Sequence, residues 1–128
     1  MKVLMLEEED MSVVRGWETR RDIPEVEGWY SQTAFWVPDV LAAWMYSTDS
    51  AIALIDNVIA NPDTTSKQRK EAMHLVSTAI ADHARSLGYK WLRGLTAYET
   101  VAANGREAGY RVSQPTYMTM ILDLTGNN

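Results

Sequence analysis

A run of polar and basic residues opens the most regular helical pattern in the chain. This run, Thr65-Ser-Lys-Gln-Arg-Lys70, follows an apolar strand candidate at 51–60 that is stopped by Asn61-Pro62. Helix N-termini bind anions because their first backbone N–H groups have no intrahelical partner, and Lys and Arg side chains add positive charge there. A βαβ unit with such a helix start is a natural site for the diphosphate of a nucleotide-like cofactor.

Apolar periodicity and capping residues predict the elements that position this run. Thr65 with Gln68 matches a capping box, and Gly88 is a helix stop, which together predict a helix from 65 to 87. The other predicted helices run from 11 to 21 and from 96 to 109, and a short helix is an alternative for 26–30. The predicted strands are 2–7, 34–37, 41–46, 51–60, 89–95, 110–112 and 117–124, with a hairpin turn at 38–40.

The composition predicts a single globular domain over residues 1–128. Hydrophobic residues make up 46% of the chain and charged residues 23%, which is an ordinary balance for a folded protein. The net charge of −5 argues against a non-specific nucleic-acid-binding protein, which needs a basic surface. No apolar run reaches the roughly 18 residues that span a bilayer. We therefore expect neither nucleic acid nor a membrane as partner, and a cytoplasmic location.

Metal and thiol chemistry have no support in the sequence. The chain has no cysteine, which excludes disulfides, thiolate metal sites and a cysteine nucleophile. His74 and His83 share a predicted helix, but their spacing does not match the i, i+4 pair that binds metal on a helix. We therefore expect no metal cofactor.

The order of the predicted elements resembles the GNAT superfamily of acyl-CoA N-acyltransferases over nearly the whole chain. The resemblance implies an α/β fold with a mixed, mostly antiparallel sheet, helices on both faces, and acetyl-CoA as co-substrate. It implies that the fourth strand contacts pantetheine through the main chain of Val58, Ile59 and Ala60. The diphosphate loop of the family, with the pattern Q/R-x-x-G-x-G/A, corresponds to Lys67, Gln68, Arg69, Lys70, Glu71 and Ala72.

Several positions depart from the family pattern. Lys67 replaces Gln or Arg, and Lys70 replaces the first glycine, so the resemblance implies binding through the charges of Lys67, Arg69 or Lys70 instead of a glycine cradle. Gly105 stands where the family often has a Tyr that protonates the departing thiolate, four residues before Gly109-Tyr110. The substitute candidates for this acid are Tyr98, Tyr110 and Tyr117.

The resemblance implies acetyl transfer to an amine, which needs a group that accepts the amine's proton. Asp56 is the only acid in the fourth-strand candidate and is the expected base, and a structural carboxylate at the strand edge is the alternative. Trp29 and Tyr30 fall in the region that lines the acceptor groove in the family. The resemblance implies that they contact the acceptor; core packing is the interpretation that the residue types themselves favour, and a dimer surface is a further alternative.

Two hypotheses for function stay open at this stage. The first is an N-acetyltransferase that acts on a small-molecule or protein amine. The second is a catalytically degenerate GNAT-like module that binds a host or virion protein, since the short chain and loose motif also resemble small acetyltransferase-like proteins of tailed phages. A phage protein of this kind would work in the host cytoplasm, and a homodimer through edge strands is compatible with either hypothesis.

Overall fold

The structure is a computed structural model that describes residues 1–96, 99–112, 122 and 124. The chain divides into two compact units, Met1–Gly94 and Leu95–Asn128. The elements of the first unit are β1 (Leu4–Met5), α1 (Met11–Arg20), β2 (Ala34–Val37), β3 (Leu41–Tyr46), β4 (Ile52–Ala60), α2 (Ser66–Ser86) and β5 (Trp91–Arg93). The second unit contains α3 (Glu99–Glu107).

Five strands form one mixed sheet in the order β1-β2-β3-β4-β5. Neighbours from β1 to β4 pair antiparallel, whereas β4 and β5 pair parallel and are connected through α2. Asp39, in the turn between β2 and β3, has a φ of 67°, a left-handed conformation that Asp adopts more readily than most residues. The predicted fold class, a mixed and mostly antiparallel sheet with helices, is confirmed.

Helix α2 begins where the sequence predicts. Gln68 N–H donates to the Thr65 hydroxyl at 3.1 Å, and Thr65 N–H donates to Gln68 Oε1 at 2.9 Å, which completes the capping box. The helix ends before Gly88, whose φ of 92° is a conformation that glycine adopts without strain. The buried apolar stripe of α2 consists of Ala72, Val76, Ile80 and Ala84.

Each face of the sheet has its own hydrophobic core. On one face, α2 packs against strand residues that include Val37, Ala43, Met45 and Ile55. On the other face, α1 packs Val14 and Trp17 against residues that include Trp36, Trp44 and Ile59. The two sets alternate along β2 and β3 because successive side chains of a strand point to opposite faces. The two helices therefore cover opposite faces, as predicted.

Local differences from the sequence prediction have identifiable causes. The segment 22–33 contains no helix, so the short helix at 26–30 is wrong, and Gly28 has a φ of 73° that no helix accommodates. Strand β5 has three residues where seven were predicted. Residues 110–112 do not form a strand, and the strand predicted at 117–124 lies outside the described residues except for Leu122 and Leu124.

Thr65→Ala is expected to lower the free energy of unfolding by about 1 kcal/mol, because it removes the side chain that caps α2. Urea denaturation followed by circular dichroism measures this change. Thr78→Ala is the matched control, since the Thr78 hydroxyl only donates to the His74 carbonyl inside the helix, at 2.8 Å. Alanine favours the helix interior, so no loss is expected there. Equal losses in both variants would contradict the capping role.

Candidate active site

A β-bulge interrupts β4 at Asn57. The pairs on either side of it are Ala42 with Ile59 and Trp44 with Asp56. Strand β4 therefore has one residue more than β3 between these pairs. Asn57 has a φ of 57°, a left-handed conformation that Asn tolerates and that bulges often use. The extra residue shifts the alternation of side chains, so Ile55 packs on the α2 side of the sheet and Ile59 on the α1 side.

Strand β4 parts from β5 after a short stretch of pairing. The two strands pair only over Ile52–Leu54 and Trp91–Arg93. Gly94 still approaches β4 closely, since a Cβ at this position would lie 3.2 Å from Ile55 Cγ2. Beyond this point, no residue in the described part of the chain pairs with β4 on the β5 side. We refer to this side of residues 55–60 as the open edge of β4.

Main-chain groups alternate in direction at the end of β4. Asn61 N–H donates to the Val40 carbonyl at 2.9 Å, so the main chain of Ile59, two residues earlier, also faces β3. The main-chain groups of Val58 and Ala60 then point to the open edge, because adjacent residues of a strand alternate. Three residues are expected at pantetheine. Val58 and Ala60 direct their main-chain N–H and C=O groups outward, whereas the main-chain groups of Ile59 face β3.

Two arginines at the end of α1 hold the connection that follows β4. Arg21 Nε–H donates to the Ala60 carbonyl at 2.8 Å. Arg20 makes two hydrogen bonds to the Asp63 carboxylate, at 2.7 and 2.8 Å, which raise the pKa of Arg20 and lower the pKa of Asp63. The Nη atoms of the exposed Arg21 have no partner within the described residues. They add positive charge beside the open edge.

The residues expected in a diphosphate loop all lie inside α2, because the capping box starts the helix at Ser66. Ala72 is fully buried in the core, and the side chain of Gln68 is part of the capping box. Arg69 folds back on the preceding connection and donates to the Thr64 carbonyl and the Ser66 hydroxyl. These three side chains therefore support the helix start itself.

Lys67, Lys70 and Glu71 are exposed, as is the capping residue Gln68. Lys67 lies in the first turn of α2, and the backbone N–H groups of Ser66 and Lys67 have no acceptor among the described residues. A free first turn and a lysine together form a positive end, which suits an anionic group. This end follows the open edge of β4 directly in the chain.

Three residues form a closed set of hydrogen bonds at the bulge. The Asn57 side chain donates to the Tyr46 hydroxyl and accepts the Trp29 indole N–H at 3.1 Å. The Tyr46 hydroxyl donates to the Trp29 carbonyl at 3.3 Å. We refer to Trp29, Tyr46 and Asn57 as the bulge network. It holds the irregular segment 25–31 against the middle of β4.

Asp56 lies directly beside the bulge network. Its side chain is exposed, and its Oδ1 accepts the Asn57 N–H at 2.7 Å. Burial raises the pKa of Tyr46 and the Asp56 carboxylate adds to this shift, while the hydrogen bonds with Asn57 and Ser31 oppose it. Tyr46 is therefore a neutral hydrogen-bond donor at neutral pH. The second oxygen of Asp56 has no hydrogen-bond partner among the described residues.

Trp29 and Tyr30 take different roles in the structure. Trp29 is 46% exposed, whereas Tyr30 stacks on Trp44 with ring centroids 4.3 Å apart. Burial and the neighbouring Glu18 carboxylate raise the pKa of Tyr30. Both residues line a groove of about 540 Å³, together with Met11, Arg15, Glu25, Val26, Glu27, Gly28, Ser31 and Trp44. We refer to it as the aromatic groove.

The candidate acid positions fall in the second unit. Gly105 lies inside α3 and offers no hydroxyl. Tyr110 follows this helix and is half-buried. Tyr98 and Tyr117 lie outside the described residues. No group of His, Asp and Glu in the described ranges could hold a metal ion.

Sequence reasoning missed Arg21, Tyr46 and Asn57. Asn57 did carry a signal, since Asn is depleted in strands and stands in the middle of an apolar one. The other two carried none. Tyr46 and its partner Asn57 are separated by 11 positions in the sequence, and Arg21 and Ala60 by 39 positions.

Solved structures of acetyltransferases are similar to this chain. An acetyltransferase from Trypanosoma brucei has a TM-score of 0.64 and 15% identity, and the match covers 96% of this chain and 99% of the other. An aminoglycoside acetyltransferase from an uncultured soil metagenome, in complex with sisomicin, has a TM-score of 0.64, 15% identity and coverage of 95% and 96%. Glucosamine-6-phosphate N-acetyltransferase from Arabidopsis thaliana has a TM-score of 0.63, 12% identity and coverage of 95% and 98%.

The similarity is one of fold. The chain has the GNAT acyltransferase fold, which agrees with its five-stranded mixed sheet and its helices. No protein-family model and no curated protein sequence matches the chain. Among the helices of the described residues, none is long and apolar enough to cross a membrane.

Proposed function

We propose that this protein is an N-acetyltransferase that transfers an acetyl group from acetyl-CoA to an amine. The observation that carries the proposal is the open edge of β4, which leads directly into the positive first turn of α2. An extended strand edge with outward main-chain groups can bind an amide-containing arm, and the helix start can bind a diphosphate. The two features occur in the order that the pantetheine and diphosphate of one cofactor require.

On the cofactor side, the outward main-chain groups of Val58 and the outward N–H of Ala60 are proposed to bind the pantetheine arm, since the Ala60 carbonyl already accepts a hydrogen bond from Arg21. The N–H groups of Ser66 and Lys67, with the Lys67 side chain, would hold the diphosphate. Arg21 joins this set, because its Nε is bonded to Ala60, where the open edge ends, and its Nη atoms have no partner among the described residues. A guanidinium forms paired hydrogen bonds with phosphate oxygens. Arg21 would replace N–H donors that the family pattern takes from the backbone of a glycine-rich loop.

On the acceptor side, Asp56 is proposed to accept the proton of the attacking amine. Its exposed carboxylate lies next to the bulge, in the middle of β4, and a carboxylate takes such a proton directly or through one water. The aromatic groove meets this position through Trp29. Two of the structurally similar proteins are named for amine-bearing sugars as substrates, which supports an amine as the acceptor.

Arg21→Gln is expected to weaken acetyl-CoA binding about tenfold, since a charge-assisted hydrogen bond contributes about 1.5–3 kcal/mol. Isothermal titration of wild type and variant with acetyl-CoA measures the dissociation constants. Arg85→Gln is the matched control, because Arg85 is exposed near the end of α2 and pairs with Asp82 at 2.7 Å. Its affinity should equal that of wild type. Wild-type protein that does not bind acetyl-CoA at millimolar concentration would remove the proposed function.

A further inference from the structure

The aromatic groove is held in shape by contacts on three sides. Tyr30 stacks on the buried Trp44, and the Trp29 indole donates to Asn57. The Ser31 hydroxyl donates to the Met45 carbonyl at 2.6 Å. Segment 25–31 is therefore anchored to β3 and β4 at successive residues. A volume of about 540 Å³ is in the range of pockets that bind small molecules.

The charges of the groove favour a cation. Arg15 is its single positively charged lining residue, and it pairs with Glu25 at 3.4 Å. Glu27 also lines the groove, and its exposed carboxylate has no partner among the described residues. Because Arg15 and Glu25 neutralise each other, the groove keeps the negative charge of Glu27.

The wall of the groove adds to this preference. The half-exposed face of Trp29 can attract a cation through its ring. Tyr30 stays neutral at working pH, because burial and Glu18 raise its pKa. Glu18 itself is 4% exposed, and its Oε1 has no hydrogen-bond partner within the described part of the chain. In addition to the exposed Glu27, the buried Glu18 carboxylate therefore adds negative potential behind the Tyr30 wall.

Trp29 connects the groove to the proposed chemistry. Its ring lines the groove, while its indole N–H is bonded to Asn57, the residue adjacent to Asp56. A molecule that lies along Trp29 in the groove therefore contacts a ring that is hydrogen-bonded to the neighbour of Asp56. Glu27 and Trp29 line the groove itself, and Asp56 is connected to it through Asn57, the partner of Trp29.

We propose that the acceptor is a small diamine, in which one amine reacts beside Asp56 and a second, protonated amine is held by Glu27 and the face of Trp29. The acetylation of the diamine depends on the proposed function, whereas the binding of the diamine in the groove does not. In the reaction the free amine forms a new C–N bond to the acetyl carbon, its proton passes to Asp56, and coenzyme A leaves as the thiolate. The second amine keeps its proton throughout.

A comparison of acetyl transfer to 1,4-diaminobutane and to n-butylamine tests whether the second, protonated amine contributes to binding. The KM for the diamine should be at least tenfold lower at 50 mM salt, and this advantage should shrink at 500 mM salt, because screening weakens the exposed contact. Glu27→Gln should raise the KM for the diamine about fivefold with kcat unchanged, and leave the KM for butylamine as it is. Equal KM values for the two amines would overturn the proposal.

The matched control is Glu9→Gln, which makes the same charge change at an exposed position before α1. It should leave both KM values at wild type. An equal rise in Glu9→Gln and Glu27→Gln would also overturn the proposal, since it would indicate a general effect of net charge and not a site at Glu27.

Direct binding separates this proposal from the proposed function. Titration of the protein with 1,4-diaminobutane in the absence of acetyl-CoA should give binding that Glu27→Gln weakens and Glu9→Gln does not. Diamine binding without any acetyl-CoA binding would support the diamine site in the groove and contradict the proposed transferase function. Acetyl-CoA binding with transfer only to butylamine, or no diamine binding at all, would remove the diamine site and leave the transferase.

Discussion

Asp56→Asn is expected to reduce kcat for acetyl transfer by about 100- to 10,000-fold, the range over which a general base acts. The amide cannot take the proton of the amine, yet it has nearly the same size. Its oxygen can still accept the Asn57 N–H that Asp56 accepts at 2.7 Å, so the bulge should persist. Steady-state release of coenzyme A at saturating donor and acceptor measures the change. Higher pH should restore part of the rate, because more of the amine is then unprotonated.

The matched control is Asp49→Asn, which removes an exposed carboxylate in the turn before β4. It should keep the wild-type kcat, and acetyl-CoA affinity should be unchanged in both variants. Wild-type turnover in Asp56→Asn would eliminate Asp56 as the base. Equal losses in the two variants would attribute the effect to net charge instead of to proton transfer.

Asn57→Val is expected to lower the free energy of unfolding by roughly 3–5 kcal/mol. A β-branched residue at a φ of 57° is strained by roughly 1–3 kcal/mol. The change also removes the hydrogen bonds to Trp29 and Tyr46, which contribute about 1 kcal/mol each. Relief of the strain would flatten the bulge, so acetyl-CoA affinity should fall as well. Urea denaturation and calorimetric titration measure the two effects.

Asn57→Gly separates backbone strain from the side-chain hydrogen bonds. Glycine adopts positive φ freely, so this variant should lose only the two hydrogen bonds, about 2 kcal/mol of stability, and keep its acetyl-CoA affinity. A folded Asn57→Val protein with wild-type affinity for acetyl-CoA would show that cofactor binding does not depend on the bulge. Thermal melts of both variants establish that they are folded.

The elements with local signals were predicted from the sequence. The capping box of Thr65 and Gln68 and the stop at Gly88 gave the bounds of α2 to within a residue, because both act within a few positions along the chain. The hairpin of β2 and β3 followed from two apolar segments and a proline-containing turn. The short helix that was an alternative for 26–30 is wrong, because the irregular segment is held by Trp29 and Ser31 contacts to distant strands.

The candidate site was predictable only in part. Asp56 stood out as the one acid in an apolar strand, and the bulge brings it next to the segment that carries Trp29. The residues that the resemblance aligns with a diphosphate loop, 67–72, lie in the helix that the capping box predicts, and the additional charge near the open edge comes from Arg21. Its link to Ala60 crosses 39 residues, so no local pattern could reveal it.

The sequence by itself determined the order of elements, the two amphipathic helices that cover the sheet, and the basic start of α2, because each depends on neighbours within a few residues. Only the tertiary structure decided where β4 leaves β5, which main-chain groups face outward, and which aromatic residue is exposed. Those features depend on pairing register and on packing between segments far apart in the chain. The single extra residue at Asn57 changes both the pairing register and the packing, since it shifts every later side chain of β4 to the opposite face.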